Sequence, residues 1–562
     1  LAAAVWAFPG RSWADEPAPD DTATETATEP TTSRATSAPS EDVEALRARI
    51  DKLEQELDAV RERQENTEAG QASETKEPPP PVTTTPESAP DEDEDDEDDE
   101  DEDKQAGEPE AVPDPTATSD NRPPNYADGF HFGSYGRVMV GGDHKGRPGR
   151  NGDIVTYGSR LDTQTYAELE LRREDYWKET GAYTRIVATV AFQHPIFHYN
   201  ADFAGQFGVR NLYIEETGLG LKKLRVWAGS RMYRGDDIYL LNFWPLDNLN
   251  TVGGGIAYTF LKNLDVKLHT GINQPDNPFF FSTAQRPAPL GQLGDRTVAI
   301  NDRQKVISSA NISNIFSIGN KGAGIKPKLY GEFHYTSEAQ QEIADRQFED
   351  LPADYGFLAG AQLGMFTGKR STHLNLIFRY ASGLAAYGEF NAPSQLSPDR
   401  TSKGAREILT ALSGNYEKKW FGLLLGAYFR SFRNASPDLD YWDLNEGIVI
   451  ARPTVWFGKI AGLSVEGSYQ AQQRGVLLSN NDGSSKPQFG QMGRIGVVPF
   501  LTPGGRGNYQ RPHIQLIYLM SLRDQGARRL YPTDDVFGLR TVDHYFGIGA
   551  EWWFGSTSYF RD

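Results

Sequence analysis

The chain has 562 residues, no cysteine and a formal net charge of −21. A disulfide framework and thiolate metal or redox chemistry are therefore excluded, and the acidity argues against a nucleic-acid partner, whose phosphates require a positive patch. Mean hydropathy is well below zero and no apolar run reaches the roughly 18 residues of a membrane helix, yet a membrane β-barrel passes that test because its strands alternate lipid-facing and water-facing side chains.

At the start, Leu1 to Phe8 is apolar and Ser12-Trp13-Ala14 precedes Asp15. This has the form of a secretory apolar region followed by a small-x-small cleavage site, so residues 1–14 are read as a signal-peptide remnant, with its positive region upstream of Leu1. Residues 15–40 are a Pro-, Thr-, Ala- and Asp-rich linker that cannot bury a core. Residues 41–65 are read as a coiled coil. Val43, Ile50 and Leu57 are seven apart, and Leu46, Leu53 and Val60 follow each by three. Arg49 against Glu54 and Glu56 against Arg61 give opposite charges across a parallel seam; the alternative is a single amphipathic helix. Residues 66–125 form a second linker, with four prolines from Pro78 to Pro81 and an acidic run from Asp91 to Asp103. Self-repulsion extends such a chain, which spans roughly 40–50 Å or more.

From Tyr126 to Asp562 the texture is uniform. Segments of about ten residues alternate apolar and polar between clusters of Gly, Asn, Asp and Pro. Tyr166, Glu168, Glu170 and Arg172 share one face of a strand, and Ala167, Leu169 and Leu171 the other. Leu374, Leu376, Phe378 and Tyr380 likewise oppose Asn375 and Arg379. Aromatics crowd the strand ends, and short turns alternate with long polar stretches such as 140–153, 383–405 and 474–490. The predicted fold class is all-β, a transmembrane antiparallel β-barrel, with room for about 16–18 strands. A secreted β-sandwich lectin or glycosidase would alternate too, but its outward positions would be polar.

Signals of catalysis are weak. Pro195 interrupts the i,i+4 pair His194 and His198, no P-loop lysine follows the glycines of 319–324, and no spacing selects a pair among the many carboxylates. No enzyme activity, metal or cofactor is expected.

Several segments resemble the maltoporin and sucrose-porin family. At the front these are GFHFGSYGR at 129–137, SRLDTQTYAELELRREDYWKETG at 159–181, RNLYIEETG at 210–218 and LRVWAGSRMYRGDDIYLLNFWPLD at 224–247. Near the end they are NYQRPHIQLIY at 508–518 and YFGIGAEWWF at 545–554; the stretch 257–500 matches in texture alone. A coiled coil ahead of the barrel resembles the sucrose-porin branch. The resemblance implies an 18-stranded barrel in the bacterial outer membrane, assembled as a homotrimer, that passes maltodextrin- or sucrose-like oligosaccharides by passive facilitated diffusion. It carries an aromatic slide onto Tyr135, Tyr166, Tyr509, Trp553 and Trp244, and a polar track onto Arg137, Arg160, Glu168 and Asp237. The loop within 230–255 would set the constriction. His373 stands at a slide position usually held by Phe, Gly235 where maltoporins carry Arg, and Asn242 where they carry an acid. Candidates for the ring lent to a neighbouring subunit are Phe197, Tyr199 and Phe203, and the assembly signal would either tolerate the extension beyond Phe554 or lie in Tyr559-Phe560. The coiled coil of 41–65 would lie in the periplasm and reach peptidoglycan or another periplasmic component. The competing function is a general diffusion porin carrying an envelope-tethering stalk.

Overall fold

Period-two sequence becomes strand because successive side chains then point to opposite faces, one greasy and one polar. The structure, a computed structural model, describes residues 128–145, 152–162, 165–193, 205–261, 263–319, 322–367, 372–438, 442–479 and 485–557. The signal remnant, both linkers and the coiled coil lie outside the described residues, as do Phe197, Tyr199, Phe203 and Tyr559-Phe560.

Eighteen strands form the wall. They are β1 (Gly129–Gly142), β2 (Tyr166–Trp177), β3 (Ala182–Gln193), β4 (Gln206–Thr217), β5 (Leu224–Met232) and β6 (Asn250–Phe260). Next come β7 (Leu264–Asn273), β8 (Lys305–Asn314), β9 (Ala323–Thr336), β10 (Asp354–Phe366), β11 (His373–Gly383) and β12 (Arg406–Lys418). The last six are β13 (Phe421–Arg433), β14 (Leu444–Phe457), β15 (Ala461–Ser479), β16 (Ser485–Leu501), β17 (His513–Arg523) and β18 (Val542–Phe554). Each pairs antiparallel with the next. β1 also pairs with β18, from Ser134 opposite Phe554 to Gly142 opposite Phe546, so the sheet closes on itself. Closure leaves no unpaired edge, the condition for a sheet to cross hydrocarbon.

Burial is inverted relative to a water-soluble protein. On β2, Leu171 is 53% exposed while Glu168 and Glu170 are 0% and 1%. Phe130, Phe132, Val140, Leu212, Ile256, Leu329, Phe378 and Val449 are likewise exposed outward, whereas Glu174, Glu215, Glu407, Glu446 and Glu466 are buried inside. The outer face is therefore fitted to lipid and the inner face to water and charge.

Connections at one end of the barrel are short, such as 178–181, 419–420 and 458–460, and those at the other are long, such as 274–304, 337–353, 384–405 and 524–541. In barrels of this kind the long loops are extracellular. Two of them carry hairpins of their own, Phe281–Pro287 with Asp295–Asp302 and Ala339–Ala344 with Gln347–Leu351, joined to each other by the Arg286–Glu342 ion pair.

Replacing Leu171 with Arg puts a charge on the lipid-facing wall. We expect a loss of roughly 2–4 kcal/mol if that position lies near the bilayer midplane, measured by denaturant unfolding in phospholipid vesicles; a loss below about 1 kcal/mol would mean that this face does not meet hydrocarbon.

Candidate functional site

Strand register decides which inward side chains meet. Tyr135 on β1 stands opposite Glu168 on β2 and Trp553 on β18, while Arg137 stands opposite Tyr166 and Glu551. Directly opposed residues share a face, so all six point inward. Tyr135 lies tilted against Tyr166 at 6.0 Å between ring centroids and nearly parallel to Trp553 at 6.4 Å. Three residues from elsewhere extend the row: Tyr239 is edge-on to Trp553 at 6.2 Å and to Tyr509 at 5.6 Å, and His373 of β11 lies parallel to Tyr509 at 6.2 Å. Tyr166, Trp553, Tyr509 and His373 are half-buried and keep ring surface open, whereas Tyr135 and Tyr239 are buried.

Tyr239 belongs to the pore loop, 233–249, which leaves the wall between β5 and β6 and folds inward. Its apolar residues Ile238, Tyr239, Leu240, Leu241, Phe243, Leu246 and Leu249 are buried, so the segment is held by the same apolar burial that holds a protein core. Asp236 accepts hydrogen bonds from Lys328 on β9 at 3.0 Å and Gln362 on β10 at 2.7 Å. Arg379 on β11 donates to the Pro245 carbonyl at 2.7 Å, and Asn311 on β8 to Asp247 at 2.8 Å. Two wall glycines make room for it. A Cβ on Gly426 of β13 would sit 2.7 Å from Ile238 Cγ2, and one on Gly360 of β10 would sit 2.4 Å from Leu246 Cδ2. β13 is almost opposite β5 and β6 in the ring of strands, so the loop crosses the lumen.

The connection between β1 and β2 also turns inward. The N–H groups of Ile154, Thr156 and Tyr157 donate to Gln470 at 3.0 Å, Glu446 at 2.9 Å and the Tyr428 hydroxyl at 3.1 Å. Asp153 and Asp162 both pair with Arg494 of β16. The two inserted loops meet where Tyr157 stacks on Phe243 at 3.8 Å. At the outer rim, loop 384–405 is tied in through Glu389, which accepts the Asn250 N–H; burial pushes its carboxyl up to about 8, against the pull of that N–H.

Charges line the same surface in chains. Arg172, Glu174, Arg185, Glu215 and Arg231 alternate across β2 to β5, with Arg185 at 3.0 Å from Glu174 and Arg231 at 2.6 Å from Glu215. Arg379, Glu407, Arg430 and Glu446 run across β11 to β14, and Arg452 reaches Glu466 of β15 at 2.6 Å. Between these two ladders sits the cluster around Glu551. Its carboxylate accepts from Arg160 at 2.8 Å, from Arg511 at 2.8 Å and from the Tyr239 hydroxyl at 2.8 Å. Arg160 also donates to the Tyr135 hydroxyl at 2.6 Å. Arg511 lies in the turn 502–512, the longest at its end of the barrel. It donates to the Asn508 and Gln510 carbonyls at 3.1 and 2.7 Å, and its guanidinium carbon stands 4.2 Å from the centre of the Trp553 ring. Such cation–π contacts contribute about 0.5–2 kcal/mol. Asn508 reaches Asn415 of β12 at 2.7 Å, which draws this turn across the mouth.

Of the residues expected from sequence, Tyr135, Arg137, Tyr166, Glu168 and Trp553 come together on three neighbouring strands. Arg160 joins them from the first inserted loop and Tyr509 from the turn 502–512. The Tyr166 hydroxyl bonds Glu168 and Arg210, and Arg210 pairs with Glu168 at 3.3 Å. Trp244 stays outside the row of rings, half-buried with the Arg234 guanidinium 4.2 Å over it; Tyr239 takes the place beside Trp553. Asp236, rather than its neighbour Asp237, makes the bonds that fasten the pore loop to Lys328 and Gln362. Sequence reasoning missed Glu551, Tyr239, Arg210 and Arg511. Glu551 carried a signal, since it is two residues from Trp553 and so on the same face. Tyr239 and Arg511 are in loops, where no periodicity points inward.

Comparison with known protein families gives a match to the LamB porin model over residues 130–554, covering all eighteen strands. The chain belongs to the LamB porin family. It is therefore a sugar-specific porin of the bacterial outer membrane, a channel rather than an enzyme. No curated protein matches it. Solved structures to which this LamB porin is similar include OccAB1 of Acinetobacter baumannii, at 10% identity over 78% of this chain and 99% of that one, TM-score 0.39. The outer membrane channel DcaP of the same organism gives 10% over 76% and 98%, TM-score 0.39, and a BenF-like porin of Pseudomonas fluorescens Pf-5 gives 11% over 76% and 98%, TM-score 0.35. These likenesses are distant and add nothing to the family assignment.

In this LamB porin, Asp236→Ala removes the acid that fastens the pore loop to β9 and β10 and leaves Lys328 buried without that partner. We expect larger and noisier single-channel conductance in planar bilayers, with the folded barrel retained on heat-shift electrophoresis; unchanged conductance would show that the loop stays in place without it.

Proposed function

We propose that maltodextrin- or sucrose-like oligosaccharides cross this porin by passive facilitated diffusion along the row Tyr166, Tyr135, Trp553, Tyr509 and His373, with Tyr239 closing the gap between Trp553 and Tyr509. The observation that carries this reading is the continuity of the row, in which each ring lies within about one ring width of the next. A pyranose has flat C–H faces and a rim of hydroxyls. Aromatic faces take the former, with about 0.5–1.5 kcal/mol per contact beyond area burial. The charged groups beside them, Arg137, Arg160, Glu168, Arg210 and Glu551, suit the latter, since hydrogen bonds to ions contribute roughly 1.5–3 kcal/mol each. Several weak sites in series allow binding without trapping. Trp244 and Asp237 are assigned to the pore-loop flank of this path.

Capture on Trp553 competes with Arg511, whose guanidinium already lies over that ring. A sugar ring stacking on that face would take the guanidinium's position while Glu551 keeps Arg160 as its counter-charge. In the same reading the working unit is a homotrimer. Residues 41–65 join the chains below the membrane and reach toward peptidoglycan.

The test of the path is sugar block of ion current through single channels, with maltodextrins, sucrose and other oligosaccharides as probes. Trp553→Ala and Tyr166→Ala are each expected to raise the half-blocking concentration about two- to twelve-fold, as the ring-contact energy converts, while ion current persists. Equal block by wild type and both variants would remove the rings from the path. Saturable block by no sugar at all would favour the general diffusion porin.

Removal of residues 15–125 is expected to leave single-pore conductance and sugar block unchanged and to alter envelope integrity alone. Altered block in the truncated protein would assign those residues to the pore.

A further inference from the structure

Most arginines described on the wall pair with a carboxylate. Those facing the lumen form the ladders above. At the short-turn end the outward Arg173 pairs with Asp175, and just before β18 Arg540 pairs with Asp143 and Asp543. One outward pair departs from this pattern. Arg406 on β12 and Arg433 on β13 stand directly opposite each other. They face away from the lumen, because their neighbours Glu407 and Phe432 are the buried, inward residues. Like charges directly opposite on adjacent strands repel. Among the described residues, Arg406 makes no hydrogen bond or ion pair. Arg433 donates to the Phe432 and Leu444 carbonyls at 2.7 and 3.0 Å and to Asn445 Oδ1 at 3.1 Å, and to no acid. The acid nearby is Asp443, which is buried, accepts the Asn434 N–H at 2.6 Å and acts on Arg433 through its charge without forming an ion pair with it.

The setting is specific. The pair sits at the long-loop end of its strands, one outward step above Ile408 and two above Phe429, in the lipid-facing wall. On one side the wall at this level is aromatic, with Phe357 and Tyr380; on the other it has Tyr469 and Phe489. Between them lies a polar patch of Ser382, Arg406, Arg433, Ser431, Asn445 and Gln473 on successive strands. Ser431 donates to Asn445 Oδ1 at 2.8 Å, and Asn445 donates to Gln473 at 3.4 Å, so the patch is organised around Arg433. A guanidinium fork matches the oxygens of a phosphate, and an anion bound between two adjacent forks on the outer wall would relieve their repulsion. Long loops face outward from the cell, so this height is that of the outer-leaflet headgroups.

We infer that Arg406 and Arg433 clamp a phosphate group of an outer-leaflet lipid headgroup, with Asn445 and Ser431 fixing Arg433 for the task. The site faces away from the lumen, so the inference is independent of the sugar path. It is tested on the full-length protein purified in mild detergent, with diphosphorylated lipid A in mixed micelles as the probe and lipid adducts counted by native mass spectrometry. Wild type should retain lipid A and bind the dephosphorylated lipid at least ten-fold more weakly. The double variant R406Q/R433Q should lose at least ten-fold in lipid A retention with conductance unchanged. The variant R406K/R433K, which keeps charge without the fork, guards against a folding defect and should fall between the two. Equal retention by wild type and the glutamine variant overturns the clamp, as does equal retention of the dephosphorylated lipid. Displacement of lipid A by millimolar inorganic phosphate reassigns the pair to a soluble anion. A change in oligomeric state with lipid retention intact reassigns it to contact between copies of the chain.

Discussion

The pairing of the first strand with the last governs the rest of the molecule. Hydrocarbon offers no partner for a backbone N–H or carbonyl, so a sheet in lipid is stable only without edges. Once Ser134 meets Phe554 and Gly142 meets Phe546, parity propagates around the circle. Every strand must send one set of side chains to lipid and the other to the enclosed water. Glu168 and Glu170 of β2, Glu407 of β12 and Glu446 of β14 lie inside for the same reason that Leu171 and Phe378 lie outside.

An empty eighteen-stranded tube would be too wide to discriminate among small solutes. Its selectivity comes from chain that folds back into it. The pore loop is a small apolar core carried into a polar lumen, seated on Gly426 and Gly360 and fastened by Asp236. The segment 152–162 fills space beside it. Together they draw the tyrosine at 239 toward the patch of wall where β18, β1 and β2 present rings at one height. The charge ladders on either side serve two purposes. They satisfy the acids that closure forces inward, and they hold side chains rigid enough to act as a fixed lining.

Much of this was readable beforehand, for physical reasons. Period-two alternation in Tyr166 to Arg172 specifies both strand and facing, because a one-residue slip would expose the acids to lipid. Tyr135, Tyr166 and Trp553 could thus be set on the inner face from their neighbours alone. The loops were not readable in that way. Trp244 was expected in the row of rings and Tyr239 occupies that place instead, since a loop folds by its contacts and no period tells which of its rings turns toward β18. Arg511 was hidden for the same reason: a Gly-rich turn gives no sign that it will be drawn across the mouth by Asn508. Glu551 is the readable exception, since it stands two residues before Trp553 and so on the same face of the last strand.

The clasp at Arg511 ties together three pieces of chain from different parts of the sequence. Its guanidinium holds the carbonyls of its own turn, the tyrosine hydroxyl of the pore loop and the carboxylate of the final strand. Pieces joined in this way form one mechanical assembly. The inner end of the passage and its waist therefore cannot dilate separately, and a bulky solute arriving from either side has to shift the whole clasp before it advances.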